Sequence, residues 1–229
     1  MILKDKVIIV TGASEGIGRA IAERLAKEGA RLALVARNKD KLEAVAKTVG
    51  AEAFACDVRN QAQVKETVEA VVAKFGHIDV LINNAGIWQK VGQLDELPDE
   101  VVDDVIATNL SGTIYMTKAT LPHLRQDDET AIVQIVSKSG ITAQEGQSVY
   151  TATKYGVKGF TDVLRVDLKG SNIRIGAVYQ SGTNTEMFHK TGEDFEQDKF
   201  TNPKDLADAV AYMLTRPPKM WLNEIQVVY

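Results

Sequence analysis

A hydroxyl, a phenol and an ammonium group fall close together in the second half of the chain. Tyr150 and Lys154 are four residues apart in a helical pattern that begins near Gln147, so a helix places them on one face, one turn apart. Ser137 follows an apolar run over residues 131–136 that has the character of a buried strand. The three side chains can therefore converge at the carboxyl end of a strand, where open parallel sheets bind their ligands.

These three groups suit the transfer of hydride to a ketone. Negative charge grows on the carbonyl oxygen, and Tyr150 can donate a proton to it, although a free phenol has a pKa of about 10. Because an ammonium about 4 Å away supplies roughly 4 kcal/mol in a partly screened site, we expect Lys154 to bring this pKa near neutrality. Ser137 would hydrogen-bond the substrate oxygen. The alternative is a chance surface pair, since Tyr-x-x-x-Lys occurs in many helices.

Composition limits the class of protein. The 229 residues are 45% hydrophobic and 25% charged, which is ordinary for a globular chain. A net charge of −4 argues against a nucleic-acid surface. The single cysteine, Cys56, excludes an intramolecular disulfide, suits a reducing compartment and is expected to pack in the core. Because His77, His123 and His189 lack ligand spacing, no metal site is predicted.

Targeting and membrane segments are not predicted. The first apolar run starts at Val7 and leads after about four residues into a glycine turn, unlike a signal peptide. No apolar run approaches the roughly 18 residues that a membrane helix needs. We therefore expect a cytoplasmic protein that contacts neither membrane nor nucleic acid.

Continuously apolar segments alternate with helical patterns along the chain, as in parallel sheets that helices cover on both faces. The predicted strands are residues 7–10, 32–36, 51–56, 80–83, 131–136, 172–179 and 226–229. The predicted helices are residue 17 to Gly29, and residues 38–49, 61–75, 99–124, 147–169 and 203–215. We predict an α/β fold with one doubly wound, mostly or wholly parallel sheet of about seven strands, in a single domain over residues 1–229.

The first strand leads into a glycine-rich turn, Thr11-Gly12-Ala13-Ser14-Glu15-Gly16-Ile17-Gly18, which opens the first helix. Glycine permits positive φ and lets a diphosphate approach the backbone. The helix start then offers free N–H groups and the positive end of the helix dipole. Many βα turns contain glycine, but a strand before the turn and a helix after it are the context of dinucleotide binding.

Several motifs together resemble the short-chain dehydrogenase/reductase family. They are the spacing G-x-x-x-G-x-G after Thr11, Asp57-Val58 after the third strand, Asn83-Asn84-Ala85-Gly86 after the fourth, Asn109 in Asn-Leu-Ser-Gly, and Ser137, Tyr150 and Lys154. The resemblance runs from Lys6 to about Tyr229 and implies a Rossmann-type fold.

The resemblance also implies roles for single residues. The catalytic residues would be Asn109, Ser137, Tyr150 and Lys154, with Asn109 holding a water that relays protons toward Lys154. Lys154 would also bond the nicotinamide ribose. The cofactor contacts would come from Gly12, Ser14, Gly16, Ile17, Gly18, Arg37, Asn38, Asp57, Val58, Asn83, Ala85, Gly86, Tyr150, Lys154, Thr183 and Thr185.

The end of the second strand bears on the choice of cofactor. Where the family's NAD-type members carry a carboxylate, this chain has Ala36, followed by Arg37. Because a guanidinium matches a phosphate, we predict a preference for NADP(H), with NAD(H) possible. Glu15 argues in the other direction, since many NADP-type members carry a basic residue there. The alternative for Arg37 is an exposed loop arginine without a ligand.

The chain departs from the family after the sixth strand, where Gln180-Ser181 replaces the usual Pro-Gly. Residues 186–201 follow as an expected substrate lid, rich in aromatic and charged side chains, although a mobile surface loop is the simpler interpretation. Trp88 can line the same pocket or lie on the surface. The aromatic residues favour a small or medium apolar carbonyl substrate.

The predicted function is therefore an NADP(H)-dependent oxidoreductase acting on ketones or secondary alcohols. A non-catalytic NADP(H)-binding sensor or scaffold is the alternative, and an epimerase or dehydratase is a lesser one. By the resemblance, the helices at 99–124 and 147–169 pair across a twofold axis, which predicts a homodimer or a homotetramer.

Overall fold

The computed structural model of the protein describes residues 1–125, 128–217 and 219–228. One sheet of seven parallel strands forms its centre, in the order β3-β2-β1-β4-β5-β6-β7. The strands are β1 (Val7–Thr11), β2 (Arg31–Ala36), β3 (Glu52–Ala55), β4 (Val80–Asn83), β5 (Thr130–Ile135), β6 (Ile173–Gln180) and β7 (Glu224–Val227). The predicted single α/β domain with a parallel sheet is confirmed.

Helices connect successive strands on both faces of the sheet. They are α1 (Gly16–Ala26), α2 (Lys39–Val49), α3 (Gln61–Phe75), α4 (Asp99–Ile106), α5 (Gly112–Thr120), α6 (Ser148–Asp167) and α7 (Pro203–Thr215). None of the helices in the described ranges has both the length and the apolar character needed to cross a membrane.

Two apolar cores lie on opposite faces of the sheet, which explains why the strands are apolar at every position. Ile8 and Val10 of β1 pack in the core with α1, α2 and α7, whereas Val7 and Ile9 pack in the core with α3, α5 and α6. Successive strand residues point to opposite faces, so a strand that is covered twice needs no polar side.

The strand order reverses next to β1. The chain runs outward from β1 through β2 to β3, then returns to β4 on the other side of β1 and continues outward to β7. The loops after β1 and β4 therefore diverge and leave a crevice at the carboxyl ends of the strands. This topological switch point is where such sheets bind ligands.

The predicted helix over residues 99–124 is interrupted in the structure. A π-helical segment, Ala107–Ser111, separates α4 from α5, and a 3₁₀ turn, Leu121–His123, follows α5. Apolar periodicity alone does not reveal an extra residue in a helical turn, and π-helical turns are frequent at functional sites. The last strand begins and ends earlier than predicted, at Glu224–Val227, and Tyr229 lies outside the described residues.

Candidate active site

A cavity of about 620 Å³ opens at the carboxyl edge of the sheet. It extends from the glycine turn, past the end of β2, to the start of α6 and the segment after β6. Its size is within the roughly 300–1,000 Å³ that is usual for small-molecule sites. Among the described residues, no group of three or more histidine, cysteine, aspartate or glutamate side chains could hold a metal ion.

The glycine turn has the geometry of a cradle. Gly12 has a φ of +66°, and a Cβ built there would lie 2.9 Å from the Cα of Ala85. Gly16 has a φ of +54° and a built Cβ 3.3 Å from Thr185. Gly18 does not line the cavity; its built Cβ would lie 2.3 Å from the carbonyl oxygen of Gly12. Gly18 therefore allows the turn to close, and the other two keep its surface open.

The start of α1 faces the cavity without a cap. The N-cap residue Glu15 is extended, and its side chain makes no capping hydrogen bond. Gly16 and Ile17 of the first turn line the cavity, as does Ser14. The first N–H groups of a helix lack intrahelical partners and lie at the positive end of its dipole, which makes this helix start suitable for an anion.

Asn84 fixes the glycine turn to the loop after β4, a role that its place in the motif did not reveal. Its side-chain amide donates to the carbonyl oxygens of Thr11 at 2.9 Å and Gly12 at 3.3 Å. The Thr11 hydroxyl in turn accepts the backbone N–H groups of Asn84 and Ala85, each at 2.9 Å. These bonds hold the two sides of the crevice together.

Charged side chains surround the cavity beyond β2. Arg37 is exposed and lines it, and Asn38 lines it while capping α2 through a bond from Lys41 N. Glu15 is paired with Lys41 at 3.1 Å and also with Lys190 from the segment after β6. Because two lysines pair with Glu15 and Arg37 also lines the cavity, Glu15 does not make this end of the cavity acidic.

Two of the predicted cofactor contacts are held by other partners. Asn83 does not line the cavity, and its amide donates to Thr117 of α5 at 2.9 Å. Asp57 also lies outside the lining; both of its carboxylate oxygens accept from Arg59, which holds the pKa of Asp57 below its ordinary value. Val58, the residue after Asp57, does line the cavity.

Ser137, Tyr150 and Lys154 meet at the other end of the cavity, and all three line it. Ser137 follows β5, and α6 carries the other two side chains. The Ser137 hydroxyl is close enough to Tyr150 to lower the pKa of the phenol. The Lys154 Nζ donates to the carbonyl oxygen of Ile135 at 3.3 Å and lies 5.6 Å from the centroid of the Tyr150 ring.

Burial dominates the protonation of Tyr150 and Lys154. It raises the pKa of Tyr150 to about 12, although the neighbouring Ser137 hydroxyl acts in the opposite direction. Burial also lowers the pKa of Lys154 to about 8. The expected lowering of the phenol pKa by Lys154 is therefore not observed, because removal from water disfavours both charged forms.

Asn109 lies in the π-helical segment and is almost fully buried. Its Oδ1 accepts from Ile87 N at 2.8 Å, and its Nδ2 donates to Ile87 O at 2.9 Å. The side chain does not line the cavity. It is nevertheless close to Lys154, because a Cβ built on Gly86 would lie 3.3 Å from Asn109 Oδ1 and 3.8 Å from Lys154 Nζ.

An aromatic cluster covers the Tyr150 end. Trp88 is 9% exposed and packs edge-on against the Tyr150 ring, with centroids 4.7 Å apart. Phe188, from the segment after β6, packs edge-on against Trp88 at 5.1 Å, and Phe195 and Phe200 pack against Phe188. The cluster places Trp88 in the pocket rather than on the surface.

Gln180 and Ser181, which replace the usual Pro-Gly, continue the pairing between β6 and β7. Gln180 is the last residue of β6 and pairs with Val227, and the N–H of Ser181 donates to Val227 O at 2.9 Å. Gln180 lines the cavity, and its buried Oε1 has no hydrogen-bond partner among the described residues. Thr183 and Thr185 follow, and both line the cavity.

The cavity thus brings together most of the predicted site. The predicted residues that line it are Gly12, Ser14, Gly16, Ile17, Arg37, Asn38, Val58, Ala85, Gly86, Ser137, Tyr150, Lys154, Thr183 and Thr185. Lys41 lines it without having been predicted, and Lys190 of the expected lid meets it at Glu15, because no local pattern brings distant lysines to one carboxylate.

Comparisons with known proteins agree with this geometry. A family model described as short chain dehydrogenase matches residues 6–196. An uncharacterized oxidoreductase of Staphylococcus epidermidis is 33% identical over 227 residues, which cover 98% of this chain and 97% of the relative.

Solved structures with the same fold contain nicotinamide cofactors. One is 3-ketoacyl-(acyl-carrier-protein) reductase from Brucella melitensis complexed with NADH, with a TM-score of 0.91, 30% identity, and coverage of 99% of this chain and 97% of that chain. Another is the closed form of serine dehydrogenase complexed with NADP⁺, with a TM-score of 0.90, 29% identity, and coverage of 96% and 94%.

Proposed function

The chain belongs to the short-chain dehydrogenase family of oxidoreductases, and from this premise we propose that it is an NADP(H)-dependent enzyme that acts on a ketone or a secondary alcohol. The observation that carries the proposal is one continuous cavity, with an uncapped helix start at one end and Ser137, Tyr150 and Lys154 at the other.

The residues present fit a dinucleotide. The open backbone at Gly12 and Gly16 and the uncapped start of α1 suit a diphosphate. The unpartnered Oε1 of Gln180 and the hydroxyls of Thr183 and Thr185 offer polar groups farther along the cavity. A bound nicotinamide dinucleotide would supply the hydride donor or acceptor.

The charge balance beyond β2 supports NADP(H). Arg37 lines the cavity directly after β2, where its guanidinium would bind a 2′-phosphate, and β2 ends in Ala36 rather than in a carboxylate. Glu15, the one feature against this choice, is paired with Lys41 and Lys190. These lysines also provide positive charge for the phosphate.

Tyr150 is the proposed general acid and base. Its raised pKa keeps the phenol protonated at neutral pH, which suits reduction. As hydride reaches the carbonyl carbon, the Tyr150 hydroxyl would give its proton to the carbonyl oxygen, which forms an alcohol and leaves a phenolate. Ser137 would orient the same oxygen. Lys154, largely protonated near neutral pH, would stabilise the phenolate.

The segment over residues 186–201 is the proposed lid. Phe188, Phe195 and Phe200 close the aromatic cluster against Trp88. Glu193 also accepts the backbone N–H of Val91 at 2.6 Å, which connects this segment to the loop after β4. An apolar cover of this kind favours a small or medium apolar carbonyl substrate.

The exposed surface of α6 supports association of two copies. Tyr155, Val163 and Val166 are exposed apolar residues on this helix. Pairing through α6 and the α4–α5 helices would cover them, so the proposal includes a homodimer or a homotetramer. The buried, free Cys56 suits the reducing conditions of the cytoplasm, which we propose as its location.

The first experiment is a panel of ketones and secondary alcohols, followed by the absorbance of reduced nicotinamide. We expect turnover of at least one pair and a higher kcat/KM with NADPH than with NADH. Tight NADPH binding without turnover of any compound would instead favour the sensor or scaffold alternative. Conversion of a compound without net oxidation or reduction would favour an epimerase or a dehydratase.

A pair of arginine variants tests the cofactor preference. Because a charge-assisted bond contributes about 1.5–3 kcal/mol, Arg37→Ala should lower kcat/KM with NADPH roughly 10- to 100-fold while changing the value with NADH little. Arg19→Ala is the matched control, since Arg19 is exposed on α1, pairs with Glu23 and does not line the cavity. Equal losses with both cofactors in Arg37→Ala would contradict the proposed phosphate contact.

A further inference from the structure

Gln89 is a fully buried glutamine whose side chain bonds at both ends. Its Oε1 accepts the backbone N–H of Tyr150 at 2.8 Å, and its Nε2 donates to the carbonyl oxygen of Gly146 at 3.2 Å. Gln89 does not line the cavity, so it does not touch a ligand there. Its contacts are with the backbone at the start of the helix that carries Tyr150 and Lys154.

The start of α6 needs such a partner. The N–H groups of its first residues, Ser148, Val149 and Tyr150, cannot bond within the helix. The N-cap residue Gln147 makes no capping hydrogen bond, because its Oε1 accepts instead from Ser139. The side chain of Gln89 therefore caps this helix from a distant part of the chain, 61 residues away in sequence.

The segment that carries Gln89 is itself fixed in place. Asn109 bonds both backbone groups of Ile87, and Gly92 N donates to Gly146 O at 3.0 Å. Trp88 packs against the ring of Tyr150, while Gln89 binds its backbone. Two adjacent residues thus hold Tyr150 at its ring and at its main chain.

We propose that Gln89 is a positioning residue, which holds Tyr150 at the catalytic end of the cavity by capping the first turn of α6. The kinetic consequence rests on the proposed function, because it assumes that Tyr150 transfers a proton to substrate. The structural consequence, protection of the Tyr150 amide, does not depend on any activity.

The main variant is Gln89→Met, which keeps the length of the side chain and removes both hydrogen bonds. Because a displacement of about 1 Å can cost 100-fold in rate, we expect kcat to fall roughly 10- to 100-fold. The KM and Kd for NADPH should change much less than kcat, since Gln89 itself does not line the cavity.

Gln134→Met is the matched control. Gln134 is also fully buried, and both of its amide atoms lack partners among the described residues. It is the last but one residue of β5 and does not line the cavity. This variant should keep the kcat of the wild type. A loss of kcat equal to that of Gln89→Met would show a general effect of removing a buried amide and would overturn the proposal.

Gln89→Glu is the rescue variant. A carboxylate retains the acceptor for Tyr150 N, and negative charge is favourable at a helix start. It loses the bond to Gly146 O. We expect its kcat to lie clearly above that of Gln89→Met. A kcat no higher than that of Gln89→Met would mean that the bond to Tyr150 N is not the one that matters.

Hydrogen exchange of the wild type supplies a test that needs neither a variant nor turnover. The Tyr150 amide should exchange much more slowly than the amides of Ser148 and Val149, and Gln89→Met should remove that protection. Equal exchange of all three amides in the wild type would overturn the proposal. If the amide is protected but no carbonyl compound is reduced, only the proposed function fails.

Discussion

Two helices start at the edge of the same cavity, and their first turns are treated in opposite ways. At α1 the N-cap residue Glu15 makes no capping bond and the first turn lines the cavity. At α6 the first turn is closed by the buried side chain of Gln89, which takes the N–H of Tyr150. The start of α1 leaves its backbone N–H groups open to the cavity, whereas the start of α6 has one of these groups bonded by a side chain.

The difference shows two uses of one feature of helices. Unpaired N–H groups attract an anion when they are left open, and they immobilise the first turn when they are satisfied. A diphosphate needs free donors, whereas a proton donor needs a fixed position. The structure provides each condition where the proposed chemistry needs it.

The largest expected effect comes from removing the proposed proton donor in the first turn of α6. Tyr150→Phe keeps the aromatic packing and removes the proton donor, so kcat should fall about 100- to 10,000-fold while NADPH still binds. Tyr155→Phe on the same helix is the control, because Tyr155 is 44% exposed and should tolerate the change. Activity of Tyr150→Phe near the wild-type value would reject Tyr150 as acid and base.

The next effect concerns the stability cost of burying the charged Lys154 side chain on α6. Lys154 is buried with a pKa lowered to about 8, so the folded chain disfavours its charged form. In the absence of cofactor, Lys154→Met should raise the free energy of unfolding at neutral pH by on the order of 1–3 kcal/mol. Chemical denaturation at several pH values measures this difference.

The pH dependence follows from the two protonation states. Below pH about 8 both the folded and the unfolded wild type are protonated at Lys154, and the full burial cost is present. Between that value and the ordinary lysine pKa of about 10.4, the unfolded state binds more protons, so wild-type stability rises with pH. The advantage of Lys154→Met should therefore shrink across this range, and a constant advantage would contradict the burial cost.

A glycine variant tests the proposed role of the uncapped start of α1. Gly16→Ala adds a Cβ at a φ of +54°, beside Thr185, at the surface where the diphosphate would lie. Because this Cβ would stand where the diphosphate approaches the backbone, the Kd for NADPH should rise about tenfold, and the left-handed φ should also lower the stability by about 1–2 kcal/mol. Gly50→Ala has a similar φ of +69° with open space around it, and it should lose stability without losing NADPH affinity.

The smallest expected effect comes from the Glu15 carboxylate at the start of α1. Glu15→Gln removes the carboxylate that pairs with Lys41 and Lys190, and exposed ion pairs contribute about 0–1 kcal/mol. Both lysines then become available to a phosphate, so the Kd for NADPH should fall by a small factor. Glu23→Gln, which breaks only the pair with Arg19, should leave it unchanged. Weaker NADPH binding in Glu15→Gln would instead show that the carboxylate supports the site through the Lys190 bridge.

The sequence by itself determined the fold and identified most of the site residues that the cavity brings together. Apolar runs that alternate with helical patterns require a sheet covered on both faces, and the local motifs lie at the ends of its strands. Glycines and the Tyr150–Lys154 pair are identified by short spacings, because backbone conformation and helix periodicity are local properties. The fold and the family are confirmed; the catalytic roles stay predictions.

Only the tertiary structure decided how the site is held and charged. The cap from Gln89, the pairing of Glu15 with Lys190 and the bonds of Asn109 to Ile87 join residues that are distant in sequence. Burial, which raises the pKa of Tyr150 rather than lowering it, depends on everything that packs around the phenol. These properties arise from summed long-range contacts and exclusion of water, which no spacing along the chain encodes.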